Sequence, residues 1–213
     1  MMEETLIFDI VRGSFVDGDG IRSVVFMKGC PLDCSWCHNP ESKSALAELS
    51  HNSYKCITCK YCLSVCDSHA ISFDTSFKHD TEKCSNCGLC VVDCLSNALR
   101  QIGKYIPPVE LVKQLLNDNE YYETSGGGVT FSGGEPLIHI NYLSKVFSLL
   151  KESNIDIAVQ SCGHFNYSAF EEKLQPYVNT IYFDLKILDK HNHKTHTGHD
   201  NNLILNNLSK LVK

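Results

Sequence analysis

GVTFSGGEPLIHINYLSKVFSLLKESNIDIAVQSCG, residues 128–163, reads as strand, loop, helix and strand in succession. Gly128 to Phe131 is a short β-prone run, Leu143, Val146, Phe147 and Leu150 recur at helical spacing, and Ile155 to Gln160 is a second strand. Outward from it the pattern repeats, with a helix over Tyr167–Leu174, a strand over Thr180–Leu185 and a last apolar stripe at Ile204, Leu208 and Leu211. Upstream, Pro107-Pro108 opens a helix with Val109, Val112, Leu115 and Leu116 on one face. Leu6–Val11 and Ile21–Met27 are further β-like runs, separated by the turn-forming VDGDG at 16–20. From residue 128 the strands return about every 25 residues with helices between, which predicts parallel βα units in an α/β fold, with Ile21–Met27 as first strand.

Such sheets carry their chemistry at the carboxyl ends of the strands. There the sequence places four unusual clusters. They are Cys30, Cys34 and Cys37 after the first strand, Ser132-Gly133-Gly134-Glu135-Pro136 after the second, Gln160-Ser161-Cys162-Gly163 after the third and Asp184-Leu185-Lys186 ending the fourth.

The first and second strands are far apart because a repeat intervenes. CITCKYCLSVCDSHAI at 56–71 and CSNCGLCVVDCLSNAL at 84–99 align cysteine for cysteine at a period of 28. The spacing C-x2-C-x2-C-x3-C, twice, is that of bacterial two-cluster ferredoxins, in which the fourth cysteine of each run serves the other cluster. One 4Fe–4S cluster then takes Cys56, Cys59, Cys62 and Cys94, and the other Cys84, Cys87, Cys90 and Cys66. Zinc on Cys56, Cys59, Cys84 and Cys87 would strand four other cysteines at regular positions. The proline that normally follows each run is Asp67 in one and Leu95 in the other; it shapes a turn and is no ligand.

Composition narrows the class. The 213 residues carry a net charge of −6 with no basic run, which argues against nucleic acid as a partner. No apolar run approaches the roughly 18 residues that span a bilayer, and the Met1-Met2-Glu3-Glu4 start is acidic where a signal peptide would be basic. A cytoplasmic protein without membrane contact is expected. Twelve cysteines without an export signal, clustered as metal ligands are, argue against a secreted disulfide framework.

Three of those cysteines stand in GCPLDCSWCHNPES (29–42) and lack a fourth. A CxxxCxxC triplet with an aromatic, Trp36, before its last cysteine and a Gly-Gly-Glu loop after the next strand resembles the radical S-adenosylmethionine (SAM) enzymes. The stretches DGDGIRSVVFMKGCPLDCSWCHNPES (17–42), SGGGVTFSGGEPL (125–137) and IYFDLKILD (181–189) resemble the glycyl-radical-enzyme activating enzymes, many of which carry two extra clusters in the position of this repeat. The resemblance covers essentially the whole chain. It implies that Cys30, Cys34 and Cys37 hold three irons of a 4Fe–4S cluster and that SAM chelates the fourth. An open coordination position is what a catalytic metal site requires. It further implies reductive cleavage of SAM to methionine and a 5′-deoxyadenosyl radical, which abstracts hydrogen from a backbone glycine of a partner glycyl radical enzyme. The expected electron source is a flavodoxin- or ferredoxin-type donor.

The remaining roles follow residue by residue. Gly133 and Gly134 would let the backbone approach the ligand, and Glu135 would accept hydrogen bonds from the methionyl ammonium. Trp36 and Ser161 would also contact SAM, with Asp184 and Lys186 by its ribose. Gln160 stands where pyruvate formate-lyase activase has a cation-binding acid; an amide oxygen can ligate sodium or potassium but adds no charge. Cys162 is expected to be a buried, inert thiol, and His191, His193, His196 and His199 a solvated loop leading to Thr197-Gly198. The fold implied is a (β/α)6 radical SAM barrel, truncated after the fourth strand, with a ferredoxin-like insert. Residues 1–49 and 107–213 belong to the barrel and 50–106 to the insert. The competing readings are a radical SAM enzyme acting on a small molecule and an electron-carrying ferredoxin-like module with a vestigial barrel. The intact triplet and Gly-Gly-Glu stretch weigh against the latter.

Overall fold

The computed structural model describes residues 5–212. In chain order the elements are β1 (Leu6–Ser14), β2 (Arg22–Met27), β3 (Glu48–His51), α1 (Tyr61–Ser64), β4 (Ile71–Phe73), β5 (Phe77–His79), α2 (Leu89–Val92), β6 (Leu99–Ile102), β7 (Lys104–Tyr105), α3 (Pro108–Leu115), α4 (Asn119–Ser125), β8 (Gly128–Gly133), α5 (Ile140–Glu152), β9 (Asp156–Ser161), α6 (Tyr167–Lys173), β10 (Thr180–Phe183), α7 (Lys190–Thr197) and α8 (Asn202–Leu211). They form two compact units. One runs to Ala45 and resumes at Tyr105; the other is Leu46–Lys104. The insert therefore begins earlier than residue 50 and ends before 106, because β3 already pairs antiparallel with β6 (His51 opposite Leu99).

In the larger unit the sheet order is β10-β9-β8-β2-β1-β7. β2, β8, β9 and β10 are mutually parallel, with Arg22 opposite Gly128, Gly128 opposite Asp156 and Ala158 opposite Thr180. β1 returns antiparallel on β2, an orientation that the run Leu6–Val11 did not specify. Val129, Phe131, Ile157 and Val159 are wholly buried, as in strands of a covered parallel sheet. α5 lays Tyr142, Leu143, Val146, Phe147 and Leu150 onto that layer, the helical stripe read from sequence. Arg22 is 2% exposed yet bonded throughout. Its Nε donates to Thr130 Oγ1 (2.7 Å), and Nη2 to the Val129 carbonyl (3.0 Å) and the Asp156 carboxylate (2.8 Å).

The smaller unit repeats one pattern of strand pairing twice. β3–β6 and β4–β5 are equivalent ladders, His51 facing Leu99 and His79 facing Ile71. Asn52 N donates to the Ala98 carbonyl and Asp80 N to that of Ala70, both at 2.8 Å. Among the described residues no helix is long and apolar enough to cross a membrane.

Candidate active site

The Cys30–Cys37 loop leaves the carboxyl end of β2 and is held at both ends. Gly29 N donates to the Ser42 carbonyl (2.7 Å) and Cys30 N to that of Lys43 (3.1 Å). At the far side, Asp33 N donates to the Thr197 carbonyl (2.8 Å) and Ser35 N to that of His196 (3.0 Å). Thus the last carbonyls of α7, which lack intrahelical donors, grip the amides on either side of Cys34. This corrects the expectation for the histidine tract. Residues 190–197 are a helix, N-capped by Asp189 and ended by Gly198 at φ +85°, with His193 and Thr197 buried. An Asp cap followed nine residues on by Gly was the available signal.

A cavity of about 410 Å³ opens over the strand ends. Cys30, Cys34, Cys37, Trp36, Gly133, Gly134, Ser161, Asp184 and Lys186 all line it, with Ser132, Gln160 and Cys162. Trp36, 44% exposed, tilts against His196 at 6.1 Å between ring centroids. All the residues expected at the reaction site from four separate strand ends share this one cavity, except Glu135.

Glu135 is 0% exposed and does not line it. Its Oε1 accepts from Leu137 N (3.1 Å) and Ser161 Oγ (3.0 Å), and its Oε2 from Ser161 Oγ (3.0 Å) and Cys162 N (2.8 Å). In this structure the carboxylate is turned inward as a strut tying the β8 loop to the β9 loop. Burial pushes its carboxyl upward in pKa, and the surrounding donors oppose that shift. The neighbouring backbone also constrains the two glycines. A Cβ on Gly133 (φ +101°) would lie 2.5 Å from Met27 N and O, and one on Gly134 2.2 Å from the Gly29 carbonyl. Close passage of the neighbouring backbone, rather than a ligand alone, demands glycine here.

Gln160 is committed on both sides, its Oε1 accepting from Ser132 Oγ (2.6 Å) and its Nε2 donating to Asp17 Oδ1 (2.9 Å). Cys162 is buried as expected but not isolated, since it packs with Cys30 and with Cys34. Hydrogen bonding from Cys162 holds the Cys30 thiol below its ordinary pKa, while that same contact and burial push Cys162 upward. Burial raises Cys34. Lys186 is paired with Asp184, and although burial works against its charge, the carboxylate holds its pKa above the usual lysine value.

Among the described residues no three His, Cys, Asp or Glu side chains converge on a point as one bound metal ion would require. The cysteines instead line cavities. Cys30, Cys34 and Cys37, with Cys162, line the cavity over the sheet. In the insert one cavity is lined by Cys56, Cys59, Cys62 and Cys94, and a second by Cys66, Cys84, Cys87 and Cys90. Each groups three cysteines of one repeat with the fourth of the other. Burial and the neighbouring thiolates push Cys90 up to about 11. Burial would also raise Cys94, but the Leu99 and Ala98 amides and Ser96 bring it below the ordinary value. Thiol-rich linings of this kind fit iron–sulfur clusters, with one coordination position left over where Cys30, Cys34 and Cys37 supply the ligands.

Residues 24–213 match the Radical SAM superfamily. The chain is 40% identical over 208 residues to the trans-4-hydroxy-L-proline dehydratase activating enzyme of Clostridioides difficile, covering 97% of this chain and 68% of that one. The chain belongs to the radical SAM superfamily. Within it the chain falls among the glycyl-radical-enzyme activating enzymes. It is 37% identical over 210 residues to the isethionate sulfite-lyase activating enzyme of Nitratidesulfovibrio vulgaris (96% and 68% covered). To the choline trimethylamine-lyase activating enzyme of Oleidesulfovibrio alaskensis it is 36% identical over 214 residues (99% and 69%). The chain is accordingly an enzyme of radical SAM redox chemistry.

Proposed function

We propose that this chain activates a glycyl radical enzyme, with its reaction centre in the cavity over the sheet and two accessory 4Fe–4S clusters in a ferredoxin-like insert. The observation that carries this reading is the convergence of Cys30, Cys34 and Cys37 with Gly133, Gly134, Ser161, Asp184 and Lys186 on one cavity. Cys30, Cys34 and Cys37 would hold a 4Fe–4S cluster that SAM completes. With one electron from the donor, that pair would supply cleavage of SAM to methionine and a 5′-deoxyadenosyl radical, whose abstraction of hydrogen from a backbone glycine of the partner protein would leave 5′-deoxyadenosine and a glycyl radical.

The chain's residues orient and shield. Gly133 and Gly134 would present backbone groups to the methionyl end, while the buried Glu135 keeps Ser161 and Cys162 in register with them. Asp184 and Lys186, which line the same cavity, would supply a hydrogen-bonding pair for the ribose, and Trp36 would contact SAM from its lining. Holding the sulfonium beside its electron donor replaces a collision with proximity. Cys56, Cys59, Cys62 and Cys94, and Cys66, Cys84, Cys87 and Cys90, hold the accessory clusters, which pass electrons from a flavodoxin- or ferredoxin-type donor. The partner is a protein, as for the relatives; which glycyl radical enzyme it is, a coupled assay decides.

The test is Cys34→Ala in the full chain, loaded anaerobically. The wild type should hold about twelve irons, from four per cubane, and the variant about eight, with SAM cleavage lost. A variant that still cleaved SAM would sink the ligand assignment. Incubation with candidate glycyl radical enzymes, read by the glycyl radical signal, tests the activation step.

A further inference from the structure

The insert contains a second matched pair besides its cysteines. The 28-residue period extends upstream of the cysteine runs, aligning LSHNSYKC (49–56) with FKHDTEKC (77–84), so that His51 and His79 occupy one repeat position five residues before the first cysteine. The following residue builds the same turn in each copy. Asn52 Oδ1 accepts from Tyr54 N and Lys55 N, and Asp80 Oδ1 from Glu82 N and Lys83 N.

Each histidine lines one of the four-cysteine cavities, His51 with Cys56, Cys59, Cys62 and Cys94, and His79 with the other four. Both rings have a buried Nε2 without a hydrogen-bond partner among the described residues. Such orphans are uncommon, because an unmet buried donor or acceptor is costly. Two at equivalent positions of a duplicated unit share one cause. The His51 ring is fixed as well, stacked on Phe77 at 4.2 Å and 16° and edge-on to Phe73. Thiolates and the sulfides of a cluster accept hydrogen bonds and donate none, so a ring N–H facing them is satisfied only when the cavity is filled.

We infer that His51 and His79 each direct Nε2–H at a sulfur of its own accessory cluster and so raise that cluster's reduction potential. This rests on the reading that the two cavities hold clusters. A hydrogen bond to sulfur stabilises the more negative, reduced state, and such bonds are among the levers that set cluster potentials. The histidines are positioning residues for electron entry, one per cluster.

The experiment uses the full chain, loaded anaerobically, as wild type, His51→Leu, His79→Leu and the corresponding Gln variants. Iron content is measured first, followed by an EPR-monitored redox titration. Each Leu variant should keep about twelve irons and shift the midpoint of one accessory cluster to lower potential, leaving the other two clusters in place. Gln, which returns an N–H at similar reach, should restore much of the shift. Independently, wild type labelled with 15N-histidine should show a nitrogen hyperfine coupling on the reduced accessory clusters. Fully loaded Leu variants with unmoved midpoints would overturn the inference alone, as would absence of the nitrogen coupling in loaded wild type. A wild type with only about four irons would overturn the cluster reading with it. Should a Leu variant fail to load, the Gln variant and the wild-type coupling still decide.

Discussion

Glu135→Gln separates two roles for the Gly-Gly-Glu stretch. The carboxylate accepts from two backbone amides, Leu137 N on one oxygen and Cys162 N on the other, and from Ser161 Oγ between them. A glutamine must turn its NH2 toward one of those amides, so one N–H loses a charged acceptor and is stranded in a site with no solvent access. The lost bond is worth about 1.5–3 kcal/mol and the stranded donor about 1–3 kcal/mol. Relief from burying a charge offsets part of that, leaving a net cost of about 2–4 kcal/mol. For a chain of this size that corresponds to roughly 5–15 °C in Tm. Because the strut holds Ser161 and Cys162 on the cavity wall, SAM affinity should fall with it, about tenfold for each 1.4 kcal/mol felt at the cavity. Calorimetric unfolding and anaerobic titration with SAM measure the two effects on the same sample. Burial raises the Glu135 pKa in the folded state, so the wild type loses stability as pH rises from the unfolded carboxyl value, about 4.3, through the folded one. The glutamine variant has no such loss, so its deficit should shrink as pH rises. An unchanged Tm with lost SAM affinity would refute the strut and restore a direct ligand contact; no change in either would refute both.

Asp118 accepts from Arg12 Nε (2.6 Å) and Ser23 Oγ (2.8 Å), and Arg12 holds its pKa below the ordinary value; Asp118→Asn should cost about 1–3 kcal/mol at neutral pH. That difference should vanish as pH falls through the folded pKa, where the depressed carboxylate loses its advantage, as paired denaturation curves in acid would reveal. Gly133→Ala combines a positive φ with a backbone clash at 2.5 Å, so it should unfold or become insoluble; a variant within about 1 kcal/mol of wild type would contradict the close passage of β2 and β8. Lys186→Ala breaks a partly exposed ion pair and should change stability by less than about 1 kcal/mol while weakening SAM binding; equal affinity by titration would remove Lys186 from the site. Thr197→Val deletes hydroxyl contacts to His193 Nδ1 (2.9 Å) and the His193 carbonyl (2.8 Å), loosening the α7 end that grips Asp33 and Ser35. It should lower iron only at the three-cysteine site, which site-resolved EPR would check.

The elements of the sheet were legible because each is local: β8, α5 and β9 fall within a residue or two of their apolar periodicity. The insert's cysteine sets were legible for the same reason, since a tandem repeat writes both halves of each site in one stretch. His51 and His79 escaped notice because a histidine in a β-ladder carries no spacing rule of its own; only the extended period marks the pair. The inward turn of Glu135 could not be read, because both outcomes, toward a ligand or toward Ser161, use the same three letters, and only the packing of the β9 loop beneath it chooses.

The three-cysteine site differs from the insert sites in how its geometry is fixed. In the insert, backbone amides close by in sequence shape the ligands: Ala70 N donates to Cys66 Sγ at 3.3 Å and Ala98 N to Cys94 Sγ at 3.2 Å. The loop around Cys34 instead takes its outer restraints from Thr197 and His196, more than 150 residues later. Its inner wall comes from the ends of β8, β9 and β10. A site assembled from so many separate segments depends on all of them, so perturbations anywhere along that frame reach the cluster loop. The insert's sites draw on the two repeats alone. Damage to the frame should therefore uncouple the two kinds of site, silencing the reaction centre while the accessory sites persist, and that asymmetry follows from where the hydrogen bonds originate rather than from the cysteines themselves.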